Sequence, residues 1–376
     1  MIAHLRKVMS VEPSNAQAKK ALATLLNNSG LKLGVKGRRE AEVAQLEEAA
    51  SLQPKDAQIS KNLGTAYYNL SLSKGKTGAH EEEVELLRKA KAILPKDPAV
   101  ARHLGRALSN VAVKKGKNGD SDAQIALLEE ALKSAPNDSV TRANLAATYN
   151  NYAVSEKKKL KLSKRIATLE KALKLDSTNK ATRNNLAHML VKEALAQANQ
   201  GNTTTAAKTL ERAVKIAPEY QASRRSLAAL YHNDALKVGE KGKLREEIRL
   251  LHKALKVLPS SNEIQADLAM AYNDYGVSVG MKGDEKNEIR LLSKAVKLDP
   301  KNEVIKENLR RAKKKNALAE KKNKAKKKAR KKSPKKSKKS VGNNAGKNKT
   351  TKKGANRKSS QKRPAKKKAL AKQKKP

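Results

Sequence analysis

Residues 136–154 read PNDSVTRANLAATYNNYAV, and this stretch holds the pattern that decides the fold. It opens with Pro136, reaches a helix N-cap residue type at Asp138, and continues through Leu145 and Tyr149, which are four residues apart and share one helix face. Similar stretches occur in seven other places, always at a spacing of 41 residues. The sequence is therefore a repeat array, in which each copy buries its apolar face against its neighbours.

The proline that opens the stretch marks the period. It recurs every 41 residues from residue 13 to residue 300, and only Ser177 interrupts the series; the other prolines are Pro13, Pro54, Pro95, Pro218, Pro259 and Pro300. We number each repeat from this residue as position 0. Positions −8 and +9 are Leu in all eight copies. An apolar register without insertions or deletions indicates that all copies adopt one structure.

Each period contains two predicted helices. Apolar residues at positions −11, −8, −5 and −2 have the spacing of an amphipathic helix that ends at the proline. Apolar residues at +9, +10, +13, +17 and +18 form the apolar face of another helix. That helix precedes a segment rich in Lys and Gly, such as residues 74–78.

These positions resemble the tetratricopeptide repeat family. Its Leu-small-x-x-Tyr motif is present as Leu63-Gly64-x-x-Tyr67, Leu145-Ala146-x-x-Tyr149, Leu227-Ala228-x-x-Tyr231 and Leu268-Ala269-x-x-Tyr272. The resemblance covers residues 1–320 and implies an all-α, right-handed superhelical solenoid of helix-turn-helix repeats. The family's Trp position holds Lys, Ser, Ala, Arg or Gln, and each repeat is seven residues longer than the family's usual 34. We expect a longer first helix and a longer loop inside each repeat.

The charge distribution separates a tail from the array. The whole chain has a formal charge of +49, and residues 313–376 hold 30 Lys and Arg against one acidic residue, Glu320. That segment has too little apolar surface to offset the entropy of ordering its backbone. We expect a lone second helix over residues 1–11, seven repeats over 12–300, a capping helix over 301–322 and a disordered Lys-rich tail over 323–376.

The resemblance also implies a concave groove lined by the first helices. Asparagine dominates positions +8 and +15 on that face, so stacked repeats would align carboxamides that bond to the backbone of an extended peptide. The candidate groove residues are Asn62, Asn69, Asn110, Asn144, Asn151, Asn185 and Asn233. In the alternative interpretation these side chains bond locally between adjacent helices, or keep an exposed stripe polar. Position +11 is never Asn, which argues against the family's clamp for chaperone C-termini.

A second function concerns polyanions. The tail is similar to lysine-rich linker-histone tails, and Ser333-Pro334-Lys335-Lys336 matches a short motif of those proteins. Candidate polyanion contacts are Lys326, Lys327, Lys328, Arg330, Lys331, Lys332, Lys335, Lys336, Lys362, Arg363, Lys366, Lys367 and Lys368. Counterion release would drive such binding to DNA or RNA without sequence specificity. Cations in the loops of the repeats extend the possibility to an edge of the solenoid; they are Lys36, Arg38, Arg39, Lys74, Lys76, Lys114, Lys115, Lys117, Lys157, Lys158, Lys159, Lys161, Lys241 and Lys243. Ordinary solvated loops are the favoured explanation of these cations.

The sequence contains no recognisable catalytic or cofactor-binding motif. The chain lacks Cys, a phosphate-binding glycine loop and a Gly-x-Ser-x-Gly motif, and its six His show no metal-ligand spacing with carboxylates. We predict no enzyme activity, cofactor or metal, and no transmembrane segment. The function expected is an intracellular interaction scaffold, cytoplasmic or nuclear, that binds a protein segment in the groove and is tethered to a polyanion by its tail. A nucleic-acid-associated protein is the alternative. The oligomeric state stays open.

Overall fold

The computed structural model describes residues 1–332, with side chains through residue 328. The chain divides into two units, residues 1–317 and residues 318–376. Over residues 1–332 it forms sixteen α-helices, one 3-10 helix and no β-strand. The all-α repeat fold predicted from the sequence is confirmed.

Each repeat contributes a first and a second helix. The first helices are α2 Ala16–Val35, α4 Ala57–Lys76, α6 Pro98–Lys117, α8 Ser139–Val154, α10 Lys180–Asn199, α12 Gln221–Glu240, α14 Asn262–Met281 and α16 Glu303–Lys332. The second helices are α1 Ile2–Val11, α3 Arg39–Leu52, α5 His80–Ile93, α7 Ser121–Ser134, α9 Leu162–Leu175, α11 Thr203–Ile216, α13 Leu244–Val257 and α15 Glu285–Leu298. Asn, Asp or Ser caps most first helices through its side chain, whereas Tyr220, before α12, makes no such bond.

The first helix absorbs the extra length of the repeat. α2 has 20 residues and is followed by only residues 36–38 before α3, so the longer helix is confirmed and the longer loop is wrong. Gly37, at position +24, makes the short linker possible because it has a φ of 74°, which residues with a side chain rarely adopt. The glycines at the same position of five other repeats also have positive φ; they are Gly78, Gly119, Gly201, Gly242 and Gly283.

Repeat 4 is the exception, because Leu160 occupies position +24. α8 ends at Val154, four residues earlier than the equivalent helices, and residues 155–161 form a longer linker that contains the 3-10 helix. Lys159 takes the left-handed conformation in this linker, with φ 40°. The Arg165 guanidinium then caps the shortened helix by donating to the carbonyl oxygens of Ala153 at 2.7 Å, Ser155 at 3.1 Å and Leu160 at 3.2 Å.

The core repeats one arrangement. Leu at position −8 and Ala at position −5 of the seven complete second helices are exposed by no more than 2 %. Leu at +9 of the first helices packs between these layers, as at Leu22, Leu186 and Leu268. The small side chain at −5 lets neighbouring helices approach closely while Leu fills the space between them, so the core needs no Phe or Trp.

Tyrosines at position +13 connect successive repeats. The hydroxyls of Tyr67, Tyr149 and Tyr231 donate to glutamates of the preceding second helix, Glu47, Glu129 and Glu211. A lysine of the following second helix lies over each ring, 5.0–5.3 Å from its centroid. Burial, reinforced by the bond to the carboxylate, raises the pKa of all three tyrosines. Each ring therefore contacts two second helices.

Ion pairs run along the second helices, from position −7 of one helix to position −6 of the next. Arg6 meets Glu48 at 2.5 Å, Arg88 meets Glu130 at 2.6 Å, and Glu170 meets Arg212. Glu47 with Lys89 and Glu129 with Lys171 complete the series, at 3.7 Å each. We call this series the ion-pair ladder. Each exposed pair contributes only about 0.2–1 kcal/mol, so the ladder adds to stability much less than the core does.

The last helix closes the array. Ile305 and Ala312 of α16 are buried, and Lys315 Nζ donates to the Gly280 carbonyl oxygen at 3.1 Å. α16 continues to Lys332, ten residues beyond the expected end of the capping helix, since Ala, Lys and Arg are strong helix formers. Of the disordered tail predicted over residues 323–376, residues 323–332 belong to α16, and residues 333–376 lie outside the described residues. Among helices within residues 1–332, none is long and apolar enough to cross a bilayer.

Candidate functional site on the first-helix face

Positions +7, +8, +11, +14 and +15 lie along one side of each first helix, because they differ by three, four, seven or eight residues. We call this surface the first-helix face. First helices of consecutive repeats contact one another, as α2 contacts α4 and α10 contacts α12. The face is therefore continuous from one repeat to the next.

Hydrogen bonds join position +14 of one first helix to position +8 of the next. Asn62 Nδ2 donates to Asn27 Oδ1 at 2.8 Å. Two other amide pairs repeat this geometry at 2.9 Å, Asn185 to Asn150 and Asn308 to Asn273. His232 Nε2 and Asp267 Oδ2, at the same two positions, are 2.6 Å apart. These side chains therefore hold neighbouring first helices in register.

The amides continue to the surface at position +15. Nδ2 of Asn27 donates to Oδ1 of Asn28 at 3.3 Å, and Nδ2 of Asn150 donates to Oδ1 of Asn151 at 3.2 Å. In both cases the oxygen of the outer amide is occupied, while its NH₂ group makes no hydrogen bond to the rest of residues 1–328. The outer amide can therefore donate to a ligand.

The predicted groove residues fall into two groups. Asn62 and Asn185, at +8, form the inter-helix bonds just described, as the alternative of local bonding anticipated. Asn144, also at +8, is half-buried and its amide has no hydrogen-bond partner within residues 1–328. The other group is at +15: Asn69 is half-buried, and Asn110, Asn151 and Asn233 are exposed. Whether either group binds a peptide stays a prediction.

Sequence reasoning missed the acceptors at position +14. Asn27, Asn150 and Asn273 are each followed 35 residues later by their partner, a separation six residues short of the 41-residue period. Pairing each residue at +14 with the one 35 positions later would have found these bonds. The separation of 35 residues arises because the partners lie on first helices of consecutive repeats, so no single repeat contains both of them.

The histidines on the face are engaged separately. His188 Nδ1 lies 3.1 Å from the Tyr220 hydroxyl, whereas His232 bonds to Asp267. Burial lowers the pKa of His188, and the charge of Lys192 adds to the shift. Within the described residues no group of three or more His, Cys, Asp or Glu is placed to hold a metal ion.

The cations at the edge of the array are partly neutralised. Lys74 lies 3.4 Å from Glu40 and 3.1 Å from Glu82, and Lys158 lies 2.5 Å from Asp122. Nine of the fourteen loop cations form no ion pair within residues 1–328: Lys36, Arg38, Lys76, Lys115, Lys117, Lys157, Lys159, Lys161 and Lys241. In the long linker of repeat 4, an open cavity of ≈ 550 Å³ is lined by Lys159, Leu160, Lys161, Ser163 and Lys164. Whether these cations form a basic edge that binds a polyanion stays a prediction.

The tail candidates are described only in part. Lys326, Lys327 and Lys328 are exposed on α16, and Arg330, Lys331 and Lys332 belong to the last turns of the same helix. Lys335, Lys336, Lys362, Arg363, Lys366, Lys367 and Lys368 lie outside the described residues.

Comparison with known proteins supports the repeat assignment. A tetratricopeptide repeat family model matches residues 187–220, which leaves out the first seven residues of α10, so the additional length lies in the first helix. No curated protein matches the chain.

Solved structures with a similar arrangement are tetratricopeptide repeat proteins. The P58(IPK) domain is 15 % identical, with 85 % of this chain and 93 % of that chain covered and a TM-score of 0.24. The thermophilic protein TTC0263 of Thermus thermophilus is 18 % identical, with coverages of 55 % and 98 % and a TM-score of 0.19. YrrB, described as having an unusual peptide-binding site, is 16 % identical, with coverages of 58 % and 95 % and a TM-score of 0.21.

Proposed function

Because this chain is a tetratricopeptide repeat protein, we propose that it is a non-enzymatic interaction scaffold that binds an extended protein segment along its first-helix face. One observation carries the proposal. Asn110, Asn151 and Asn233 present exposed carboxamides at the same position of different first helices, and Asn69 is half-buried at that position. An exposed carboxamide bonds to a peptide backbone whatever the side chains of that peptide are.

The division of labour between positions +8 and +15 favours this function. The side-chain amides of Asn62 and Asn185 donate to the preceding first helix. These bonds fix the spacing of the helices that carry the outer amides. A rigid row of donors loses little conformational entropy when a ligand binds, which favours affinity. The inner amides thus fix the spacing of the helices, and Asn150 in addition orients the outer amide of Asn151.

Substitution of the outer amides tests the proposal. We expect Asn69→Ala, Asn110→Ala and Asn151→Ala together to abolish most binding to peptides selected from an array of 12-residue segments, measured by fluorescence anisotropy. Asn118→Ala, Asn137→Ala and Asn199→Ala are the matched control, since these exposed amides lie off the face. Equal peptide affinity in both triple variants would refute the role of the outer amides.

We further propose that the Lys-rich segment tethers the scaffold to a polyanion. Residues 313–376 carry 30 basic residues and one acidic residue, and Lys326, Lys327 and Lys328 are exposed on α16. Binding of this kind needs no folded site, and its affinity falls steeply with salt because counterions are released from the nucleic acid. Sequence-independent binding to DNA or RNA is the expected behaviour.

A salt titration separates the tether from the array. Full-length protein and a version ending at Ala319 are titrated with random duplex DNA and with RNA at several salt concentrations. We expect the truncation to lose most affinity and to flatten the salt dependence. Unchanged affinity and an unchanged salt slope would show that the tail is not the tether.

A further inference from the structure

Positive charge on the first-helix face is concentrated in repeats 1–3. Their positions +7 to +15 include Lys20, Lys61, Arg102 and Arg106, and no acidic residue. Repeat 4 has no charged residue at the five positions of the face, repeats 5 and 6 have one cation each, Lys192 and Arg225, and repeat 7 has Asp267 and Asp274. The face is therefore basic at its N-terminal end and becomes acidic toward repeat 7.

The cations at position +7 are available to a ligand. Lys20, Lys61 and Arg102 are exposed, and none of them forms an ion pair with another residue between 1 and 328. Many other basic side chains of the array are already paired, as Arg88 is with Glu130 and Lys74 with Glu82. The three cations at +7 thus form a row, one on each of three consecutive first helices, with no partner in the array.

This cation row runs parallel to a row of amides. Asn28, Asn69 and Asn110 lie eight residues further along the same helices, which corresponds to about 12 Å. In repeats 1 and 2 the residues between the two rows are Thr24 and Thr65. Their side chains take up little space, because the hydroxyls donate back to the carbonyl oxygens of Lys20 and Lys61 at 2.9 Å and 3.0 Å. A segment crossing the helices has room to lie there, with amides on one side and cations on the other.

The spacing of the helices selects the spacing of the ligand's charges. Packed helices lie about 8–10 Å apart. A polyproline II segment advances about 3.1 Å per residue and returns to the same side every third residue, so three residues cover about 9 Å. A β-strand alternates sides at every residue, so its third residue would point away from the cations. Repeats 1–3 therefore match charges at every third position of a polyproline II segment.

We propose that the first-helix face of repeats 1–3 binds a segment in polyproline II conformation with an acidic side chain at every third position. Lys20, Lys61 and Arg102 each meet one carboxylate, while Asn69 and Asn110 bond to its backbone. The inference rests on the proposed peptide-binding function and specifies the class of partner. A nucleic acid carries a negative charge on every nucleotide and would not select charges at a fixed spacing of three residues, so the peptide comparison below distinguishes it.

Two acidic peptides of identical composition, with a neutral analogue, test the spacing. Labelled Pro- and Ala-rich 12-residue peptides carry three Asp at every third position, three adjacent Asp, or three Asn at every third position, and bind full-length protein at about 50 mM salt, where surface charges are weakly screened. We expect the spaced acidic peptide to bind about tenfold more tightly than the other two, since each exposed ion pair contributes modestly. Equal binding of the spaced and adjacent acidic peptides would overturn the proposal.

Charge reversal locates the site. Lys20→Glu, Lys61→Glu and Arg102→Glu together should weaken the spaced acidic peptide about tenfold or more. The matched control reverses Lys133, Lys174 and Lys215, exposed cations of second helices, which lowers the net charge by as much as the test variant does and leaves the tail unchanged. This control should leave the affinity unchanged. Equal effects of the two triple variants would show that only the total charge matters, and would overturn the proposal.

The same titrations distinguish this inference from the function on which it rests. If replacement of Asn69 and Asn110 weakens peptide binding but reversal of the three cations does not, the groove function stands and the acidic selectivity is wrong. If neither change affects any peptide, both fail. A single-stranded oligonucleotide is included as a third ligand. Loss of its affinity alone on reversal of the three cations would reassign the cation row to nucleic acid.

Discussion

A glycine opposite a buried glutamate gives the sharpest test of the packing. Gly34, at position +21 in α2, leaves so little room that a Cβ on it would lie 2.2 Å from Glu42 Oε1. Glu42 is 5 % exposed, and Arg39 donates to it at 2.9 Å. In repeat 5 the same two positions are Ala198 and Ala206. The chain thus contains both a Gly–Glu and an Ala–Ala solution to the same contact.

The two solutions predict a strong coupling in a double-mutant cycle. Gly34→Ala forces the carboxylate out, which costs about 1–3 kcal/mol, and gains about 1 kcal/mol of helix propensity, so we expect a net loss of about 1 kcal/mol. Glu42→Ala leaves a void over the glycine and an unpaired Arg39, with a further loss of about 1 kcal/mol. The double variant reproduces the Ala–Ala pair and should be close to wild type. The coupling is therefore about 2 kcal/mol in favour of the double variant.

Urea unfolding followed by far-UV circular dichroism measures the four free energies. Amide hydrogen exchange in α2 and α3 supplies a local reading, since a repeat array does not always unfold as one unit. Ala198→Gly is the control, because an alanine without a carboxylate opposite should lose only about 1 kcal/mol of helix propensity. Additivity of Gly34→Ala and Glu42→Ala within about 0.5 kcal/mol would refute the reasoning.

Three further outcomes are expected. Leu145→Ala should destabilise the array by about 2–5 kcal/mol in urea unfolding, whereas Lys117→Ala, at an exposed site, should cost almost nothing. Gly78→Ala should cost about 1–2 kcal/mol in the same assay, because φ at this residue is 81°; an unchanged midpoint would contradict this. Since burial lowers the pKa of His188, the folded state favours its neutral form. The stability that neutral His188 contributes to the folded state is therefore fully present above its ordinary pKa of about 6.5. That stability is lost as the pH falls toward and through the lower pKa of the folded state. His188→Gln should reduce the fall in melting temperature between neutral and mildly acidic pH, and an identical fall would contradict it.

The architecture was predictable because its main determinants are local and repeated. Leu at −8 and Ala at −5 recur in every complete second helix, and each has the same burial in the structure. A pattern that eight copies share averages out the substitutions in any one of them, such as Ser177 in place of proline. The two helices of each repeat therefore followed from the periodicity, and the solenoid fold followed from the resemblance to the tetratricopeptide repeat family.

The length of the linker between the two helices of a repeat was not predictable from the sequence, because glycine has two roles in that segment. Gly75 is inside α4, where its missing side chain makes room for Glu83, while Gly78 ends the helix with positive φ. Both belong to the run from residue 74 to residue 78, which reads as a loop. Only the contact with the next helix distinguishes a glycine needed for packing from one needed for its φ.

The candidate site shows a related limit. Asparagine at +8 and asparagine at +15 look alike in one repeat, and the sequence assigned both to the groove. Asn62 donates to Asn27 of the previous repeat, whereas the Asn69 amide has no hydrogen-bond partner within residues 1–328. The partner lies on a neighbouring copy, so a position-by-position comparison of repeats cannot show which amide is already bonded.

The ion-pair ladder shows why copies with nearly identical cores are not interchangeable. Its sign alternates over the first repeats: position −7 is Arg6, Glu47, Arg88 and Glu129 in turn, and each meets an opposite charge on the next second helix. Removing residues 54–94 would keep every apolar contact type but place Glu47 against Glu130, two like charges. Removing residues 54–135 would place Glu47 against Lys171 and restore the attraction. The shared Leu and Ala positions thus favour stacking of each repeat in the same geometry, and the exposed charges favour particular neighbours, by less than about 1 kcal/mol per contact.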